Sequence, residues 1–199
     1  NKLGFANADV TWVRTTFDSA IAPGAKTFDF NLQQYTITDE RKQAVDFSSP
    51  YYTTPQAIVT IKGSKLDGVT TIAELKDAKL GAGVGTTAID IITNQIGATP
   101  QVFNDNAAAV AALKNGQIDG VVVDLPTAFY LTAVEVENGI IAGQLPLSGS
   151  GDNFGLLLAK DSPLTSCVSQ AVDALKADGT LAQFADNWLG QTAGAPVLK

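Results

Sequence analysis

Three short stretches of the chain carry side chains able to grip a small ion. The first is Thr36-Ile37-Thr38-Asp39-Glu40-Arg41, which follows a segment, Phe28 to Gln34, read as a strand. Gln34 and Thr36 then stand at the strand's carboxyl end, where ligands of α/β sheets bind. Thr38 suits a helix N-cap, and Asp39 and Glu40 suit the positive start of a helix. Arg41 falls in the first turn, where a cation opposes the macrodipole, so something anionic should face it. Asp39, Asp46 or another surface acid would serve. So would a bound carboxylate, which a guanidinium grips through two parallel hydrogen bonds in a geometry lysine cannot offer.

The second stretch, Gly83-Val84-Gly85-Thr86-Thr87, leads from a strand into a helix whose apolar positions Ala88, Ile91, Ile92 and Ile96 share one face. Amide groups at such a start form an anion site. The glycine spacing is not a dinucleotide fingerprint, and no Gly-Lys-Ser/Thr follows to make a P-loop. An ordinary tight turn with Thr86 or Thr87 capping the helix explains the same residues. The third stretch, Val121-Val122-Val123-Asp124, puts a carboxylate at the end of a buried strand just before Leu125-Pro126. Its charge needs a partner, either the helix start it would cap or a bound ammonium. Together the three place a guanidinium, an anion-binding turn and a carboxylate at strand ends, a set that matches the two charges of an α-amino acid. Phe17, Tyr35, Tyr51 and Tyr52 are candidate aromatic walls, with core packing as the alternative.

Positioning these groups requires α/β units. Short apolar strands alternate with helical patterns across few-residue turns, the pattern of mostly parallel sheets flanked by helices. Strands are expected at Val10 to Val13, Phe28 to Gln34, Gln56 to Ile61, Lys79 to Val84, Gln101 to Phe103, Gly120 to Val123 and Gly155 to Ala159. Helices are expected at Ala107 to Lys114, with Asn106 as N-cap and Gly116 as stop, and at Pro126 to Val134. Two more, Leu164 to Ala177 and Leu181 to Leu189, precede a Gly/Ala/Pro-bearing tail, Gly190 to Lys199, that reads as frayed. Tyr51 to Pro55 and the Gly/Ser-rich Leu147 to Asn153 read as connectors by which the chain leaves one lobe, builds another and returns.

Composition removes several function classes. The 199 residues are 45% hydrophobic and 17% charged, with a net charge of -7, and a pI near 4.4. An acidic chain lacks the clustered Lys and Arg that nucleic-acid binding requires. Histidine is absent, which removes Ser-His and Cys-His nucleophilic machinery and the commonest metal ligand. No run approaches the eighteen or so apolar residues of a membrane span. The single cysteine, Cys167, shares a helical face with Val168 and Val172 in this reading and is expected to be an inert buried thiol. The chain has no methionine and opens on Asn1-Lys2 with neither a charged n-region nor an apolar h-region, so it reads as a processed or excised piece.

At these residues the chain resembles the polar amino-acid family of ABC-importer substrate-binding proteins, solute-binding protein family 3. The matching text is Phe17-Asp18, Thr36 to Arg41, Val45-Asp46-Phe47-Ser48-Ser49-Pro50-Tyr51-Tyr52, Gly85-Thr86-Thr87, Gly116-Gln117-Ile118-Asp119-Gly120, Asp124, Asn153-Phe154-Gly155, and Asp178-Gly179-Thr180 with Trp188. It runs in family order along nearly the whole chain. The resemblance implies a two-lobed, periplasmic-binding-protein-like type II fold with two inter-lobe linkers. Lobe I would be 1–53 with 154–199, with its first strand and helix missing, and lobe II would be 54–153. It further implies that Arg41 and the Thr86 backbone hold a ligand α-carboxylate in the turn that includes Gly85 and Thr87. Asp124, the Thr36 hydroxyl and the Gln34 carbonyl would hold the α-ammonium, and Phe17 and Tyr52 would pack on the ligand side chain.

The function implied is extracytoplasmic, periplasmic or cell-surface tethered, capture of a free polar amino acid by hinged closure. The partner would be the membrane permease of an ABC importer. No cofactor, metal, nucleic acid or direct membrane insertion is called for, and no catalysis. Two other readings share the fold: a dehydratase, which needs a positioned general acid, and the amino-acid-sensing domain of a receptor.

Overall fold

The structure, a computed structural model, describes residues 2–147, 151–189 and 195–199. In chain order its elements are α1 (Phe17–Ile21), β1 (Asn31–Thr36), α2 (Arg41–Ala44), β2 (Val45–Phe47), β3 (Tyr52–Thr54), β4 (Gln56–Ile61), β5 (Leu80–Gly83) and α3 (Ala88–Asp90). They continue with β6 (Gln101–Phe103), α4 (Asn106–Lys114), β7 (Gly120–Asp124), α5 (Leu125–Tyr130), β8 (Gly139–Gln144), β9 (Asp152–Ala159), α6 (Thr165–Ala177) and α7 (Thr180–Leu189). The chain splits into two compact units, Asn1–Thr53 with Asp152–Gly190, and Thr54–Gly151 with Gln191–Lys199.

The first unit is organised on β9, which pairs with β1, β2 and β3 in a four-stranded sheet. Its pairs with β1 and β2 are antiparallel, setting Thr36 opposite Phe154 and Phe47 opposite Leu157. Tyr35, Val45, Leu157 and Ala20 form the core, with Phe17, Phe28 and Phe47 packed on it. The segment Val45 to Tyr52 earns its regularity here. The Ser48 hydroxyl accepts the Leu156 N–H at 3.0 Å and donates to the Ser49 carbonyl at 2.8 Å, and the Tyr51 N–H reaches the Phe154 carbonyl at 2.9 Å. Gly155 is required by close approach, since a Cβ there would stand 2.9 Å from Ile37 Cδ1.

The second unit is a five-stranded sheet in the order β6-β5-β7-β4-β8. Strand β5 is parallel to β6 and β7, and β4 is antiparallel to β7 and β8. Alternate residues of β4 feed opposite faces. Ile58 joins a core with Leu66, Leu75, Leu80, Ile92 and Leu145, while Ala57 and Val59 join Val110, Leu113, Val121 and Leu131. Burial on both faces explains why these strands read as continuous apolar runs.

Several expectations are corrected. Val10 to Val13 is an irregular, exposed segment, with Trp12 86% exposed. The sheets are less parallel than expected, because β9 runs antiparallel to β1 and β2, and β4 to β7 and β8. The N-cap of α4 is Asp105, whose carboxylate accepts the Ala108 N–H at 2.7 Å, one residue earlier than Asn106. Cys167 is exposed, because the buried positions of α6 are Val168 and Val172 and Cys167 lies a hundred degrees or so round the helix from Val168. The tail is also reassigned. Residues 190–194 lie outside the described residues, but Leu198 is 1% exposed in the second unit's core. There its N–H donates to the Gln144 carbonyl at 2.9 Å, the Gln144 N–H donates to the Pro196 carbonyl at 2.8 Å, and Lys199 donates to the Thr70 carbonyl and accepts from the Ile72 N–H. That places the end of the chain with the second unit and not with 1–53 and 154–189.

Candidate functional site

In the first unit four of the expected residues meet. Thr38 does cap a turn: its hydroxyl accepts the Arg41 N–H at 3.1 Å and its carbonyl accepts the Lys42 N–H at 3.0 Å. That fixes the Arg41 backbone directly after β1. The Arg41 side chain folds back and donates from Nη1 to the Thr36 carbonyl at 2.7 Å, with its guanidinium carbon 5.5 Å from the centre of the Phe17 ring. The residue is 8% exposed, so the cation is held by a carbonyl dipole and a ring face in a low-dielectric setting. Two acids offered as its surface partners are engaged elsewhere: Asp39 with Lys42 at 3.1 Å, and Asp46 with Lys160 at 3.3 Å.

Phe17 is half-buried and stacks on Tyr35 with ring centroids 4.5 Å apart. Tyr35 itself is fully buried and donates its hydroxyl proton to Gln33 Oε1, so it is core and not a ligand wall. Burial pushes its phenol well above the usual range, partly countered by the Arg41 charge. Next to Phe17, the Asp18 carboxyl is held below its ordinary value, chiefly by a hydrogen bond from Thr16. Gln34 has φ of 57°, the left-handed region that L side chains rarely adopt, within the stretch where the β1–β9 register slips. Sequence reasoning did not foresee this kink. Tyr52 lies on β3, its ring 6.1 Å from that of Phe154, and burial raises its phenol. Tyr51 also faces Phe154, at 6.1 Å.

In the second unit the loop after β5 is a tight turn. Gly85 has φ of 73°, the Thr86 N–H closes on the Gly83 carbonyl at 3.3 Å, and the Thr86 hydroxyl donates to the same carbonyl at 2.8 Å. Neither threonine caps the helix with its side chain; Thr87, at the N-cap position, makes no capping bond. Its hydroxyl accepts from Gln56 Nε2 at 2.7 Å. Asp124 ends β7 and stands at the N-cap of α5, where its side chain makes no capping hydrogen bond. Across the sheet, Asp124 pairs with Gln56, so one glutamine adjoins both the turn and the carboxylate. Sequence reasoning passed over Gln56; its signal was a polar residue heading an apolar strand directly after Pro55. Among the described residues no group of three or more acidic or cysteine side chains could hold a metal ion, and no helix is long and apolar enough to cross a membrane.

The first unit bears a braced guanidinium, and the second bears a carboxylate and a glycine turn that adjoin the same glutamine. The chain belongs to the bacterial extracellular solute-binding proteins, family 3, whose sequence profile matches residues 1–191. It is 33% identical over 186 residues to the L-arginine-binding protein of Pseudomonas aeruginosa, a match covering 89% of this chain and 71% of that protein. Among solved structures, an ancestral arginine-binding protein bound to glutamine matches with a TM-score of 0.78 and 32% identity, covering 95% of this chain and 82% of that one. An ancestral amino acid-binding protein, a precursor of cyclohexadienyl dehydratase, matches with a TM-score of 0.72 and 30% identity over 88% of this chain and 76% of that one. The architecture is the type II periplasmic-binding-protein-like fold of these structures.

Proposed function

We propose that this protein is the extracytoplasmic receptor of an ABC importer for a polar α-amino acid, and that it binds without turning its ligand over. The observation that carries this reading is Arg41, a guanidinium 8% exposed, braced by the Thr36 carbonyl and the Phe17 ring. Its planar fork suits a carboxylate, which it can grip through two parallel hydrogen bonds. In this reading Arg41 takes the ligand α-carboxylate together with the amides of the Gly85-Thr86-Thr87 turn, the Thr86 N–H serving as the long arm of a shared bond. Asp124 takes the α-ammonium, assisted by the Thr36 hydroxyl and the Gln34 carbonyl. Phe17 and Tyr52 line the side chain.

Hinged closure around ligand is the behaviour of periplasmic binding proteins as a class, and only contacts made in the closed state shift the balance toward it. The permease of the importer would read that closed form. The names of the relatives span arginine, histidine, cystine and glutamine. Thermal-shift screening against the twenty amino acids, followed by calorimetry, tests the reading. We expect stabilisation by one or a few polar amino acids with submillimolar Kd, and recovery of the ligand unchanged. Absence of binding by every amino acid, or conversion of a cyclohexadienyl acid, would overturn it.

A further inference from the structure

The strongest unclaimed feature is Gln56. It is 3% exposed at the head of β4, and its backbone carbonyl is taken by the Leu145 N–H at 2.8 Å. Its side-chain Nε2 donates to the Thr87 hydroxyl at 2.7 Å, tying the strand to the glycine turn. Its other side-chain atom, Oε1, is shielded from solvent and accepts no hydrogen bond. A buried carbonyl oxygen left without a donor is destabilising, and an apolar residue of the same size would avoid that cost. Gln56 and Asp124 are direct partners in the antiparallel pair, so their side chains leave the same face of the sheet with Cβ atoms about 5 Å apart.

Resting on the reading above, we propose that Gln56 is a further ligand-orienting residue: its amide nitrogen positions Thr87, and Oε1 accepts an N–H from the ligand ammonium beside Asp124. An ammonium has three N–H groups and no acceptor. Asp124 and Gln56, partners on one sheet, would accept two of them. The Gln56 side chain thereby selects for a positively charged nitrogen on the α-carbon. It also couples the carboxylate-binding turn to the ammonium-binding carboxylate through one amide.

The test compares the best amino acid from the screen with the 2-hydroxy acid of the same side chain, by calorimetry on the full chain. In Gln56→Met, which keeps length and volume, we expect the amino-acid Kd to rise about tenfold or more and the hydroxy-acid Kd to rise less, so that discrimination between them narrows. Gln56→Glu, which keeps an acceptor at the position and can take the Thr87 hydroxyl proton, is expected to recover most of the amino-acid affinity. Equal losses for both ligands in Gln56→Met would reduce Gln56 to a support for the turn and overturn the acceptor role, as would unchanged binding. If the methionine variant does not fold, failure of Gln56→Glu to bind the amino acid better than Gln56→Ala overturns it as well. A native chain that binds no amino acid at all would instead sink the underlying reading.

Discussion

Gln34 is the residue where local strain and the proposed site coincide. Its left-handed backbone costs an L side chain about 1–2 kcal/mol, and such outliers persist where surrounding structure enforces them. Glycine relieves that cost but loses more backbone entropy on folding. Gln34→Gly should therefore match or slightly exceed the native urea midpoint, whereas Gln34→Val, whose branched Cβ is least tolerant there, should fall clearly below it. Equal loss in both would mean that side-chain contacts and not backbone conformation hold the position. Arg41 illustrates the same scale of control. The Thr38 cap fixes its backbone, Thr36 and Phe17 fix its guanidinium, and lysine at this position could reproduce the charge but not the planar fork.

At the scale of elements, the chain end shows how a short segment can matter. Leu198 is 1% exposed, and Leu198→Ala should lower unfolding free energy by about 2–5 kcal/mol, read by urea denaturation. A change below about 0.5 kcal/mol would show that the tail is dispensable. In the first unit, Lys2 reaches the Asp178 carboxylate at 2.7 Å in the turn between α6 and α7. That hydrogen bond, helped by others from Thr180, holds the carboxyl at about 2 against an ordinary 3.8. A depressed carboxyl contributes stability above its unfolded pKa and loses it as the pH falls through the folded one. The contribution is thus full above about pH 4 and fades toward pH 2. In Lys2→Ala the carboxyl should titrate nearer 3.8, followed by NMR; an unmoved titration would refute the link.

What could be read from residues alone follows the same physics. Strands β4, β5, β7 and β9 were legible because burial leaves apolar runs between turn residues. The three-residue strands β2 and β3 were not, because their regularity comes from pairing with β9 and not from any internal period. Strand β8, Gly139–Gln144, is hidden by its two glycines. The tail was misread because Ala-Pro-Val-Leu-Lys carries loop chemistry, and only the core it meets decides that Leu198 goes inside. Of the candidate site, the charged residues stood out by type and position. The Gln34 kink, the Phe17 brace on Arg41 and the Gln56 bridge required coordinates, since each joins residues that sequence spacing does not bring together.

At the scale of the whole molecule, the proposal is that one amino acid is held by opposite charges contributed from separate units of the chain. Binding energy made by both at once is what would couple ligand capture to closure. Arg41 belongs to the first unit and Asp124 to the second. The most direct measurement is titration calorimetry of Arg41→Ala and Asp124→Ala, each checked for native folding, with the amino acid that the native chain binds best. Removing either charge should weaken binding by roughly 3–5 kcal/mol, about two to three and a half orders of magnitude in Kd. Affinity within threefold of native in both variants would contradict the account.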